Sequence, residues 1–133
     1  MHSTNFKKSV KVFKHGPEEL EMIAFFDYCR IKEAQDARYG LIFHIPNERK
    51  ASIQRRITLA RAGVKKGTPD ICVPWGNDKY QSLFIEMKVK PNRASPEQMA
   101  KLKHLNAVGN YACICWSASD AIEILRKYEA DAL

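Results

Sequence analysis

No apolar run in this chain approaches the roughly 20 residues that cross a bilayer, which excludes a membrane-spanning helix. The opening stretch, MHSTNFKKSVKVFKHG, lacks the apolar segment of a secretory signal, so a cytosolic protein is expected. Cys-x-x-Cys pairs are missing too. The four cysteines are Cys29, Cys72, Cys113 and Cys115, three of them inside apolar runs. They are expected to be small buried side chains in a reducing compartment, not a zinc cluster or a disulfide framework. Histidines at metal-ligand spacing are equally absent: His2, His15, His44 and His104 are scattered along the chain. A strand histidine such as His44 is usually just packed, and none is assigned to a site. Internal repeats and low-complexity segments do not occur.

The most pointed absence is local. From Arg49 to Lys66 there is no acidic residue, while Arg49, Lys50, Arg55, Arg56, Arg61, Lys65 and Lys66 supply seven positive charges. Such a segment sets up a positive field suited to a phosphate backbone, although a solvated helix face has the same composition. Net charge is +7, which favours an anionic partner without naming one. A further basic stretch, Lys7, Lys8, Lys11 and Lys14, reads as a tail over residues 1–14. Residues 15–133 are expected to form one domain, because 133 residues suffice for one core.

Hydrophobic spacing divides that domain into eight elements. Residues 17–36 read as a helix: Pro17 suits the first turn, Glu18, Glu19 and Glu21 suit its positive end, and Met22, Phe25, Phe26 and Cys29 recur at helical intervals. LIFHI, residues 41–45, reads as a short buried strand. Residues 51–62 read as a basic amphipathic helix, with Ile53, Ile57, Ala60 and Val64 on one stripe. DICVP and SLFIEMKV read as two strands joined by the turn residues WGNDKY, hence an antiparallel hairpin. Ser95, Pro96, Glu97 and Gln98 form a capping-box start for a helix whose buried stripe is Met99, Leu102 and Leu105. YACICW is a strand, and a last helix, capped by Asp120 with Glu123, carries Ile122, Ile124, Leu125 and Tyr128. The fold class is mixed α/β.

Chemistry concentrates in the hairpin. Side chains of a strand alternate between faces, so Phe84, Glu86 and Lys88 share one face of SLFIEMKV, and Leu83, Ile85 and Met87 the other. A carboxylate and an ammonium then project together from an otherwise apolar strand. Taken alone, this is equally the pattern of a structural ion pair. Asp70 lies sixteen residues earlier, where the hairpin can bring it to the same end of the sheet as Glu86. Converging carboxylates repel unless a cation separates them, and oxygen-only ligation favours Mg²⁺ or Mn²⁺ over zinc. Gly67 and Pro69 shape the backbone just before Asp70.

GTPD, then IEMK sixteen residues on, then SPEQ, resembles the PD-(D/E)xK nuclease superfamily and specifically its VRR-NUC branch, in its stand-alone phage or bacterial form. The resemblance extends from about Glu18 to Tyr128. It implies a restriction-endonuclease-like core, a mixed central sheet flanked by helices, with Asp70 and Glu86 as metal ligands and Lys88 as the catalytic lysine. The Met87 carbonyl would complete the metal shell. Gln98 would join the active site, although the capping box accounts for the same residue. A first-helix glutamate would also approach the metal. Alignment selects Glu18, while Glu18, Glu19 and Glu21 are all suited to the helix dipole. HIPNERKA matches a Pro-Asn segment of phage-type relatives, with Glu48 where glycine often follows.

The implied function is a Mg²⁺- or Mn²⁺-dependent endodeoxyribonuclease, a homodimer acting on branched DNA such as four-way junctions in a bacterial or phage-infected cytoplasm. The basic residues from Arg49 to Lys66 would grip phosphates, selecting structure and not base sequence. Two alternatives keep the fold. One is a nickase or nuclease for linear or single-stranded ends, and the other a catalytically silent DNA-binding module.

Overall fold

The computed structural model describes residues 14–46 and 50–133. Among these residues four α-helices and four strands follow in the expected order. Helix α1 (Pro17–Glu33) starts on Pro17 with Glu18 and Glu19 in its first turn and ends with Arg30 and Lys32 in its last, each charge opposing the helix dipole. It stops short of residue 36, because the side chain of Asp36 accepts from the Arg38 amide and begins a short 3-10 turn, Ala37–Leu41.

Strand β1 (Phe43–His44) has two residues, both exposed. The buried LIFHI strand is thereby corrected: Ile42 is buried, whereas Leu41 and Phe43 face outward. Strands β2 (Ile71–Val73), β3 (Leu83–Met87) and β4 (Tyr111–Cys115) complete a sheet in the order β1-β2-β3-β4. The β2–β3 pair is the expected antiparallel hairpin, with Ile71 opposite Ile85 and Val73 opposite Leu83. β4 runs parallel to β3, as a strand must when a helix carries the chain back along the sheet. That helix is α3 (Pro96–Ala107), and α4 (Ala118–Glu129) closes the chain.

The two faces of β3 have different neighbours. Leu83, Ile85 and Met87 are fully buried in a core with Phe25 and Cys29 of α1 and Ala121, Leu125 and Tyr128 of α4. Each large apolar side chain buried there contributes about 1.5–3 kcal/mol. Tyr128 reconciles its hydroxyl with that core by donating to the Trp75 carbonyl at 2.6 Å. The opposite face of β3 bears Glu86 and Lys88 and lies towards the start of α3, where Gln98 is buried.

Three further expectations are corrected. Helix α2 (Ile53–Arg61) forms behind its Ser52 cap, but the stripe predicted to bury it is exposed, 75% at Ile53 and 56% at Ile57. Met99 is exposed also, leaving Leu102 to anchor α3. Helix α4 begins earlier than expected: Ser117 caps it by accepting from the Asp120 amide, and Asp120 accepts from the amide of Trp116. Cys29, Cys72 and Cys115 are buried as expected, whereas Cys113 is only partly so. Burial raises the Cys29 thiol to about 12, so it is inert as a nucleophile near neutral pH. Among the described residues no helix is long and apolar enough to cross a membrane.

Gly67 ties the loop before β2 to the start of α3. Its φ is +81°, and a Cβ there would come within 2.8 Å of the Glu97 carbonyl carbon and oxygen. Gly67→Ala is therefore expected to destabilise the fold by about 1–3 kcal/mol from backbone strain alone, with the clash adding to it. Urea unfolding measures this, and an unchanged midpoint would contradict the close approach.

Candidate active site

The hairpin register decides whether the two acids meet. Ile71 faces Ile85, and one step back along β2 Asp70 comes level with Glu86 on the same side of the sheet. Backbone contacts hold Asp70 there: its Oδ2 accepts from the Met87 amide at 2.8 Å, and its carbonyl accepts from the Ile45 amide at 2.7 Å. A strand end that would otherwise fray is thus closed by an aspartate side chain.

Glu86 is 1% exposed and Lys88 5%. Charges so thoroughly desolvated need partners. Glu86 Oε1 has two, the Gln98 amide nitrogen at 3.0 Å and the Lys88 ammonium at 3.7 Å. Glu86 Oε2 is buried with no hydrogen-bond partner among the described residues. Burial, and after it the negative charge of Asp70, push the Glu86 carboxyl up to about 8, with Lys88 pulling only partly the other way. Two facing acids cannot both carry charge unless a cation replaces the proton that Glu86 holds against Asp70.

Gln98 caps its helix and contacts Glu86 at once. Its Oε1 accepts from the Ser95 amide at 2.8 Å while Ser95 Oγ accepts from the Gln98 amide, a complete capping box. Its Nε2 remains available for Glu86. One side chain therefore starts α3 and orients the buried acid.

The three first-helix glutamates separate by their contacts. Glu19 pairs with His15 on the exterior, and Glu21 accepts from the Ala118 amide at the start of α4. Glu18 accepts from Asn92 at 3.2 Å and lines a cleft of about 610 Å³ together with Asp70, Met87 and His44. Asn92 has no signal in the residue pattern, and His44, expected to be packed, is exposed instead. His44 reaches the cleft only because β1 pairs with β2, and its Nδ1 lies 2.8 Å from the Asp70 carbonyl. That contact fixes Nδ1 as the protonated nitrogen.

Among the described residues no three His, Cys, Asp or Glu side chains are gathered into a cage for a metal ion. The acids that could serve as donors are the Asp70 and Glu86 pair, with Glu18 lining the same cleft as Asp70. A pair suits Mg²⁺, which takes one or two carboxylates and keeps several waters. By donor chemistry and by the orphaned Glu86 oxygen, these residues fit such an ion.

A second cleft, of about 590 Å³, opens on the Lys88 and Gln98 side. Arg56, Lys65 and Lys66 of the predicted basic segment line it. Lys50, Arg55 and Arg61 are exposed outside it, Lys66 also pairs with Glu97 at 3.4 Å, and Arg49 falls outside the described residues.

The family model of the VRR-NUC domain matches residues 24–119. A solved structure described as a VRR_NUC domain protein is similar in fold, with a TM-score of 0.71 and 22% identity over 86% of this chain and 89% of that one. Among curated proteins no relative matches the chain.

Proposed function

Because this chain belongs to the VRR-NUC domain family, a family of nuclease domains, we propose that it is a divalent-metal-dependent endodeoxyribonuclease, selective for branched DNA such as four-way junctions. The observation that carries this reading is the convergence of Asp70 and Glu86 on one face of the hairpin, with Gln98 hydrogen-bonded to Oε1 of Glu86 and the Lys88 ammonium 3.7 Å from it. A purely structural Glu86–Lys88 pair would need neither the second acid nor a partnerless carboxylate oxygen.

Asp70 and Glu86 would hold Mg²⁺ or Mn²⁺, with the Met87 carbonyl beside them and Glu18 across the cleft. Such an ion, when bound, supplies Lewis acidity to a phosphoryl oxygen. The chain's own residues do the rest. The Met87 amide keeps Asp70 from rotating away, and Gln98 holds Glu86 in one orientation. Lys88, buried and fixed at 3.7 Å from Glu86, offers N–H donors to an attacking water or to the negative charge that grows on the phosphate. Phosphate contacts from the basic segment position a strand without reading its sequence. A homodimer would place two such sites about a two-fold axis, as cutting both strands of a symmetric junction requires.

The test is a substrate panel of four-way junction, flap, single strand and linear duplex with Mg²⁺, Mn²⁺ or EDTA. Expected is cleavage that EDTA abolishes and that is fastest on branched DNA. Equal rates on linear duplex and junction would remove the branched-DNA selectivity, and no cleavage of any DNA would remove the enzyme.

A further inference from the structure

The two clefts flanking the end of β3 have opposite characters. The Glu18 and Asp70 side is acidic. The other is lined by Arg56, Lys65, Lys66, Lys88 and Arg93, with no carboxylate among its lining residues. Charge alone would suit any phosphate. What distinguishes this cleft is its second wall, where Leu59, Ala60 and Val64 present an apolar surface on the same cavity, Val64 being 50% exposed. Paired DNA has no use for such a wall, because a duplex keeps its bases stacked inside and shows proteins its phosphates and groove edges. An unpaired nucleotide offers an anionic phosphate and an apolar base face together. The volume, about 590 Å³, lies within the range of about 300–1,000 Å³ typical of small-ligand pockets and is far too small for a duplex.

We propose that this cleft receives one unpaired nucleotide of the DNA strand, its base against Leu59 and Val64 and its phosphate between Arg93 and the Lys65–Lys66 pair. The assignment rests on the nuclease reading above and gives its substrate a physical criterion. The strand is recognised where it leaves the duplex, and the adjoining phosphate is delivered to Lys88, which lines the same cleft. A flap or a single-stranded tail supplies such a nucleotide, a four-way junction does so where pairs open at its crossover, and an intact linear duplex does not.

Duplexes of equal length, one blunt and one carrying a short single-stranded tail, test this with the wild-type chain in Ca²⁺, using 2-aminopurine as the first unpaired base. No aromatic side chain lines the cleft, so a base drawn out of its stack into it should brighten. The tailed DNA is expected to bind about fivefold or more tighter than the blunt one. Val64→Ser and Leu59→Ser should each shrink that ratio and the fluorescence rise, and Arg93→Gln should weaken tailed DNA and flatten its salt dependence. Val64 is exposed enough that its replacement tests the cleft without threatening the fold. Equal affinity for the two DNAs, or a ratio indifferent to Val64→Ser, would overturn the assignment. If Mg²⁺ still supports cleavage in that case, the nuclease reading stands alone. A tail preference in a chain that cuts nothing with Mg²⁺ or Mn²⁺ would uphold the cleft and end the nuclease reading.

Discussion

Asp70→Asn and Lys88→Met are each expected to lower Mg²⁺-dependent cleavage by about 10²–10³-fold or more while leaving the fold in place. Asp70→Asn keeps an oxygen to accept from the Met87 amide but gives up the charge facing Glu86, so the strand end stays closed and the cation loses a ligand. Lys88→Met retains the length and apolar stem of the side chain. It removes the one ammonium within 4 Å of Glu86 among the described residues, and Glu86 answers by holding its proton to still higher pH. The variant therefore folds with Glu86 neutral and no ammonium beside it. Single-turnover cleavage of the preferred DNA, beside circular dichroism, measures both effects. Undiminished cleavage by both variants would dismiss the site.

Glu86→Gln should have opposite effects on stability and on activity. In the wild-type chain without metal, burial and Asp70 raise the Glu86 carboxyl from 4.5 to about 8. Between those values the folded protein keeps a proton that the unfolded chain has released. Linkage then requires stability to fall as pH rises from about 4.5 to 8 and to level off above. Glutamine removes this loss, so in EDTA the variant should be more stable than wild type at pH 8.5 and should show little of that slope. The order should reverse with Mg²⁺. An ion that binds only the folded state adds about 2.7 kcal/mol at a hundred times its Kd, and Glu86→Gln should receive only a small part of that while losing cleavage. Urea unfolding at pH 5, 7 and 8.5, with EDTA or Mg²⁺, resolves the four cases. A wild-type slope that persists in Glu86→Gln would mean that another group carries it.

Much of the site was legible because its signals are local. Alternation within SLFIEMKV assigns Glu86 and Lys88 to one face, and a short turn forces its partner strand to return antiparallel, which leaves Asp70 little choice of position. SPEQ announces a helix start from four adjacent residues. Failures occurred where the outcome depends on what another segment covers. The stripe Ile53, Ile57 and Val64 has helical period, yet a period says which face is apolar and not whether anything packs on it. LIFHI had the composition of a buried strand, but burial of Tyr39 and Ile42 leaves its edge outside. In α4 the Ser117–Asp120 pair and the Asp120–Glu123 pair have the same spacing, and the structure uses the first. His44 and Asn92 join the cleft through contacts 26 and 74 residues away along the chain, beyond the reach of any local pattern.

Gln98 satisfies the first turn of α3 with one end of its amide and steadies Glu86 with the other. Helix nucleation and assembly of the reactive centre are consequently a single event, and neither can be retuned by substitution without disturbing its counterpart. A chain in which α3 has not yet started leaves Glu86 without the amide that orients it, and Asp70 alone to meet a cation.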